Sequence, residues 1–191
     1  TEFGACAGIE VTASHNPINY NGIKIVKSGS RPLDDAGDFQ VIKRLAQTQT
    51  WTAPKSRGVM LEQAGDARSA YVNKVLSLVG DTSGRPLKIV VNSGNGAAGP
   101  TFDAVAQALC ERGAPFEFVR VHHTPDHGCP NGNPDPLLPQ NQGARADVVR
   151  EVGADFGVAC DGDFDRCFFC DEAGTFVPSE YVVGLLASIF L

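Results

Sequence analysis

Asp161-Gly162-Asp163-Phe164-Asp165-Arg166 sets three carboxylates at alternating positions, closed by a guanidinium, between two short apolar runs. At a spacing of about 4 Å in a surface-like dielectric each carboxylate pair would repel by about 4 kcal/mol, so the cluster wants a counter-charge. Hard oxygen donors favour Mg²⁺, Mn²⁺ or Ca²⁺ over metals that prefer sulfur or nitrogen. The calcium-binding EF-hand is the nearest known pattern, with Asp161, Asp163, Asp165 and Glu172 at its first, third, fifth and twelfth positions. Its sixth position requires Gly for a sharp turn, and Arg166 stands there. Its flanks should be helices, whereas Phe156–Cys160 and Cys167–Cys170 read as strands. A solvated acidic turn between strands is the plainer alternative.

A second candidate for chemistry is Thr12-Ala13-Ser14-His15-Asn16-Pro17, between the apolar runs Gly8–Val11 and Ile23–Val26. Read structurally, this is a hairpin in which Asn21-Gly22 supplies positive-φ residues and Pro17 stops the first strand. Read chemically, Ser14 is a hydroxyl at a strand end, a setting for a nucleophile or phosphate carrier, with His15, Asn16 and Lys24 nearby in sequence. His15 is not expected to act as the base for Ser14, because adjacent side chains of extended chain point to opposite faces.

The two motifs in this order resemble those of the α-D-phosphohexomutase superfamily, whose phosphoserine loop reads T-A-S-H-N-P and whose metal loop reads D-G-D-x-D-R. Residues 8–26, 92–100, Pro130-Asn131-Gly132, Pro136–Pro139 and 161–168 extend the likeness over essentially the whole chain, and look like the bacterial phosphomannomutase branch. The resemblance implies α/β architecture: three-layer α/β/α domains with mixed, mostly parallel sheets. It divides the chain into residues 1–58, the later part of a first domain with the phosphoserine loop, 59–175, a second domain with the metal loop, and 176–191, the start of a third. Family enzymes place four domains around one cleft, so the resemblance implies a fragment of a longer enzyme.

The implied activity is interconversion of mannose 6-phosphate and mannose 1-phosphate through a phosphoserine and a bisphosphorylated sugar; glucose or glucosamine phosphates are the alternative substrates. Ser14 would carry the phosphoryl group. Asp161, Asp163, Asp165 and the group on Ser14 would hold Mg²⁺. Arg166 and Asn16 would bind phosphate, while His15 and Lys24 would move the hydroxyl proton or bind phosphate. The implied partners are a phosphorylated hexose and a hexose bisphosphate activator. Lacking the remaining domains, the isolated chain is expected to behave as a metal- or phosphosugar-binding module rather than a working mutase.

Positioning these loops falls to the intervening elements. Helical spacing over 36–48 aligns Phe39, Ile42, Leu45 and Ala46, and over 64–79 aligns Ala67, Ala70, Tyr71, Val75 and Leu78. Residues 50–57, with Trp51 and Pro54, look like a boundary. Strands at Leu87–Val91, Phe116–Val121 and Phe156–Cys160 alternate with helices at 101–112 and 142–152, a βαβαβ order that predicts a parallel sheet. A last helix begins near Pro178.

Gly94-Asn95-Gly96-Ala97-Ala98-Gly99 is a complete GxGxxG between strand and helix, the local context of a dinucleotide site. Such a site also wants an acid at the tip of the second strand. The sole candidate, Glu117, lies inside that strand, so the glycines are read as shaping a strand-to-helix corner that leads to Pro100. His122, His123, His127 and Cys129 fall in a run rich in Pro, Gly and Asn with no second ligand cluster, so a long ordered loop is favoured over zinc.

With 42% hydrophobic and 20% charged residues over 191 positions, one or two domains with real cores are expected. A net charge of −6 argues against nucleic acid. Neither a membrane span nor a signal peptide is found. The six Cys form no disulfide framework, and Cys167 and Cys170 sit three apart in a strand, facing opposite sides. Reduced thiols fit a cytoplasmic origin.

Overall fold

The computed structural model describes residues 2–49 and 51–191. Contacts divide the chain into two compact units, one of residues 1–12 and 22–70, the other of residues 13–21 and 71–191.

In the first unit, β1 (Ala7–Val11), β2 (Ile23–Lys27) and β3 (Arg31–Pro32) form an antiparallel sheet in that order. The register sets Val11 opposite Ile23, and the Thr12 amide donates to the Gly22 carbonyl at 3.0 Å. The two strands pair as the hairpin reading expects, but the turn does not. Neither Asn21 nor Gly22 has positive φ; Ser14 does, at 56°. The connection is therefore a long loop, not a tight primed turn, and the strain sits at the serine. Helix α1 (Asp38–Thr48) forms where periodicity places it, with Lys27 paired to Asp38 in its first turn and Gln49 in the left-handed conformation at its end. Phe39, Ile42 and Leu45 share a face, yet all three remain exposed.

The second unit holds the core, since every buried apolar side chain lies between residues 72 and 170. Residues 71–78 of helix α2 (Ala64–Leu78) belong to it. The buried positions of α2 are Val72 and Leu76; Val79, just past its end, packs against them and Val75 is half-buried, whereas Ala67, Tyr71 and Leu78 are exposed. The expected stripe is thus rotated, because the helix contributes only its last two turns to the core and those turns carry Val72 and Leu76.

Strand β4 (Leu87–Asn92) leads to α3 (Ala98–Glu111), β5 (Phe116–Val121), α4 (Pro139–Val152), β6 (Phe156–Cys160), β7 (Cys167–Cys170) and β8 (Phe176–Val177). The sheet order is β5-β4-β6-β7-β8. The predicted parallel pairing holds for β5-β4-β6; β7 and β8 add antiparallel edges. As an edge strand, β5 is only half-buried, while Val90 and Val91 in central β4 are enclosed. Alternation along β5 sorts the layers: Phe116 and Phe118 pack with Val72, Leu76 and Leu109, whereas Val119 and Val121 pack with Val90, Val149 and Cys170. Helices thus cover both faces, a three-layer α/β/α arrangement.

Local chemistry sets the ends. Pro139 opens α4, and Gly153 closes it at φ 61°. Asp155 then ties β6 to β4, its carboxylate accepting the Lys88 amide at 2.8 Å and its amide donating to the Lys88 carbonyl at 2.8 Å. Helix α5 (Ser179–Phe190) follows Pro178, with Tyr181, Val183, Leu185 and Ile189 exposed.

Candidate functional site

Strand β6 delivers Asp161 and strand β7 begins directly after Arg166, so the acidic loop is a strand connection. Strands on both sides remove the EF-hand reading. The loop is fastened across its neck by the Asp161 amide, which donates to the Arg166 carbonyl at 3.3 Å, and turns through Phe164 at φ 62°. One ligand oxygen from each of Asp161, Asp163 and Asp165 lies within 4.8 Å of the others. Among the described residues this is the one cluster of potential metal ligands; His122, His123, His127 and Cys129 form none. His123 is engaged instead with Asp103 at 2.8 Å.

Asp161 is fully buried. Burial pushes its carboxyl above the usual carboxylate range, against the pull of the Arg166 amide and guanidinium. Arg166 Nε and Nη2 donate to Asp161 Oδ2 at 2.9 and 2.6 Å, and Nε reaches Asp165 Oδ1 at 3.3 Å. Burial lowers the Arg166 pKa, but the bonds to Asp161 and Asp165 more than offset this and leave it raised.

The serine loop meets this cluster. Ser14 Oγ lies 3.3 Å from Asp161 Oδ2 and 3.2 Å from Asp163 Oδ1, and it accepts from Arg166 Nη2 at 2.8 Å. A hydroxyl has one proton, so it can satisfy one carboxylate at a time; Asp161 and Asp163 both face it, and an Asp165 oxygen lies within 4.8 Å of theirs. That donor set fits a hard divalent cation with Ser14 at its edge.

His15 departs from expectation. The positive φ of Ser14 breaks the alternation of extended chain, and His15 Nδ1 stands 3.2 Å from Ser14 Oγ. Arg166 Nη2 also donates toward Nδ1 at 2.5 Å, so Nδ1 presents its lone pair. The opposite nitrogen, Nε2, faces Asp135 Oδ2 at 4.0 Å. An exposed Asn16 braces the loop, its Nδ2 and its amide both donating to the Ala13 carbonyl at 2.8 and 3.1 Å. Lys24 lies on β2 in the first unit, opposite Glu10 in the register.

Glycines make the approach of the loops possible. A Cβ on Gly162 would lie 2.4 Å from the Ser14 carbonyl oxygen, and one on Gly96 would lie 2.5 Å from the Gly162 oxygen. Ala97 donates its amide to that same Gly162 oxygen at 2.9 Å. One on Gly99 would strike the His123 carbonyl oxygen at 2.1 Å. The GxGxxG corner therefore seats the acidic loop and the chain after β5, and Glu117 remains mid-strand, opposite Lys88. The bracing by Gly96 and the contact from Asp135 went unread in the sequence. The Gly162 contact had a signal, the glycine inside the acidic motif; Asp135 had none.

The description "Phosphoglucomutase/phosphomannomutase, alpha/beta/alpha domain I" matches residues 1–51, and "domain II" of the same family matches residues 69–174. A phosphomannomutase of Salmonella montevideo is 46% identical over 188 residues, covering 98% of this chain and 41% of the relative. A Xanthomonas campestris protein named for phosphohexose mutases is 48% identical over 98% of this chain and 40% of its own length. The chain thus spans about two fifths of the length of the curated relatives it matches. A crystal structure of a phosphoglucomutase/phosphomannomutase family protein from Burkholderia thailandensis superposes with a TM-score of 0.78 at 31% identity, over 95% of this chain and 37% of that one. No helix among the described residues is long and apolar enough to cross a membrane. The serine loop falls within the domain I match and the aspartate loop within the domain II match, and these meet at Ser14 and Asp163: the chain belongs to the phosphoglucomutase/phosphomannomutase family.

Proposed function

We propose that this chain is the phosphoserine and metal-loop portion of a phosphomannomutase that interconverts mannose 6-phosphate and mannose 1-phosphate. The observation that carries the reading is the convergence on Ser14 Oγ of Asp161 and Asp163 at 3.3 and 3.2 Å and of Arg166 at 2.8 Å. The high identity to phosphomannomutases supports mannose over glucose or glucosamine as the sugar.

In this reading Ser14 stores the phosphoryl group between half-reactions, and a bisphosphorylated hexose reloads it. Asp161, Asp163, Asp165 and the group on Ser14 hold Mg²⁺, which when bound neutralises charge on the transferring phosphoryl. Arg166 turns from Asp161 toward phosphate, offering a planar pair of donors. His15 Nδ1 takes the proton as the Ser14 oxygen becomes the nucleophile; the Asp135 carboxylate, 4.0 Å from the opposite ring nitrogen, favours the imidazolium that results. Asn16 binds phosphate of the substrate. Residues 1–58 and 59–175 form two successive domains, and 176–191 begins a third. The six free thiols suit a reducing compartment, which we take to be the cytoplasm.

The test is incubation of a longer protein containing this chain with radiolabelled hexose 1,6-bisphosphate and Mg²⁺, followed by peptide mapping. Acid-stable label on Ser14, lost in Ser14→Ala, is expected. Label on another residue, or label retained by Ser14→Ala, would refute the assignment.

A further inference from the structure

Cys160 and Cys167 stand directly opposite one another in the antiparallel pairing of β6 with β7. They are the residues immediately before and after the Asp161–Arg166 loop. Opposed residues in such a ladder alternate between hydrogen-bonded and non-hydrogen-bonded pairs. The Asp161 amide donates to the Arg166 carbonyl, so that pair is the hydrogen-bonded one. Cys160 and Cys167 are then a non-hydrogen-bonded pair, the kind whose Cα atoms approach to about 4.5 Å with side chains on one face. A disulfide needs a Cα separation of about 4.4 to 6.8 Å, so the bond asks for little backbone movement. Cys160 is buried and Cys167 exposed, so one thiol of the pair is open to an oxidant and the other lies behind it. Cys170, three residues on, points to the other face, toward Val90 and Val149.

We infer that Cys160 and Cys167 are a reversible disulfide site that closes the neck of the acidic loop. The co-reactant is a small disulfide such as oxidised glutathione. The Cys167 sulfur attacks one sulfur of it and releases one glutathione thiol. The Cys160 sulfur then displaces the second. One S–S bond breaks and one forms, two electrons pass to the oxidant, and the two protein thiol protons end on the two released thiols. Joining the sulfurs draws the Cβ atoms to about 3.8 Å. This narrows the neck on which Asp161 and Arg166 sit, and the oxidised form is expected to bind Mg²⁺ about tenfold more weakly, the scale on which supporting geometry alters metal affinity. The bond rests on strand register alone; its effect on Mg²⁺ rests on the metal reading above.

The test equilibrates the 191-residue chain with glutathione mixtures at about pH 8 until the ratio of forms stops changing, because burial pushes both thiols up, Cys160 to about 12, and so slows exchange. After quenching and alkylation, trypsin is applied without reduction. Cleavage after Arg166 separates 151–166, which contains Cys160 alone, from 167–191. A linked pair of these peptides, on monomeric protein, that disappears on reduction, persists in Cys170→Ser and is lost in Cys167→Ser is expected. No linked pair in fully oxidised glutathione, a link that needs Cys170, or a link found only in dimers would overturn the assignment. Calorimetry of the two forms reads the coupling, and equal Mg²⁺ affinities would overturn it. If neither form binds Mg²⁺, the metal reading fails while the peptides still decide the disulfide.

Discussion

Gly162 abuts the backbone of Ser14: a Cβ at position 162 would lie 2.4 Å from the Ser14 carbonyl oxygen and 2.9 Å from Pro134 Cγ. The middle of the acidic loop is therefore bare so that the serine loop can rest on it, and the same residue offers its carbonyl to the Ala97 amide at 2.9 Å. Gly162→Ala must push the loops apart. Overpacking of this kind costs about 1–3 kcal/mol, so the variant should remain folded by circular dichroism yet melt lower. Its transfer of phosphate from the bisphosphate to Ser14 should fall at least tenfold, the scale on which misplacement acts. Wild-type labelling in a folded Gly162→Ala would mean the approach has no bearing on the site.

Mg²⁺ binding should weaken with acid earlier than ordinary carboxylates would make it. Burial raises the Asp161 carboxyl above its usual value, and protons compete with the cation for the same oxygens. The folded value exceeds the unfolded one, so without metal the ionised Asp161 costs stability as pH rises through that window. With Mg²⁺ present this loss should be offset. Thermal melts from pH 4 to pH 7, with and without Mg²⁺, check both signs. A metal-induced stabilisation that does not grow with pH would be inconsistent with an Asp161 ligand.

The 191-residue chain is expected to turn over mannose 1-phosphate negligibly, even phosphorylated and loaded with Mg²⁺. It spans 41% of the length of the phosphomannomutase it matches. Orientation of bound reactants contributes about 7–11 kcal/mol, and a sugar held only by the serine and metal loops forfeits much of that. Assayed beside a full-length relative with bisphosphate present, turnover within about tenfold would show that these two loops suffice.

Much of this was legible in the chain. The apolar runs at β4 and β6 are continuous because both strands are covered on both faces, and Pro139 and Gly153 bracket α4. The acidic motif with its strand flanks gave away the gathering of three carboxylates in one strand connection. What escaped depended on tertiary contact. The α2 stripe was misaligned because only its last two turns meet the core, at Val72 and Leu76. Asn21-Gly22 looked like the turn, but the positive φ fell on Ser14, at a position that propensity assigns no such conformation. That single dihedral also brought His15 to the side of Ser14 Oγ, against the alternation expected of extended chain. Asp135 reaches His15 from a loop 120 residues later, a pairing without local periodicity to announce it. The glycines from 94 to 99 fitted a nucleotide pattern because close backbone approach selects glycine whether the neighbour is a phosphate or, as here, Gly162 and His123.

The central claim is that Ser14 and the three aspartates act as one site for metal and phosphate, and calorimetric titration of Mg²⁺ into the Ser14-phosphorylated chain tests it most directly. The phosphorylated form should bind Mg²⁺ more tightly than the unphosphorylated form, because a phosphate oxygen replaces water among the ligands. Asp163→Asn should weaken that binding by about tenfold or more, equivalent to about 1.4 kcal/mol. Equal affinity for phosphorylated wild type and phosphorylated Asp163→Asn would contradict the account.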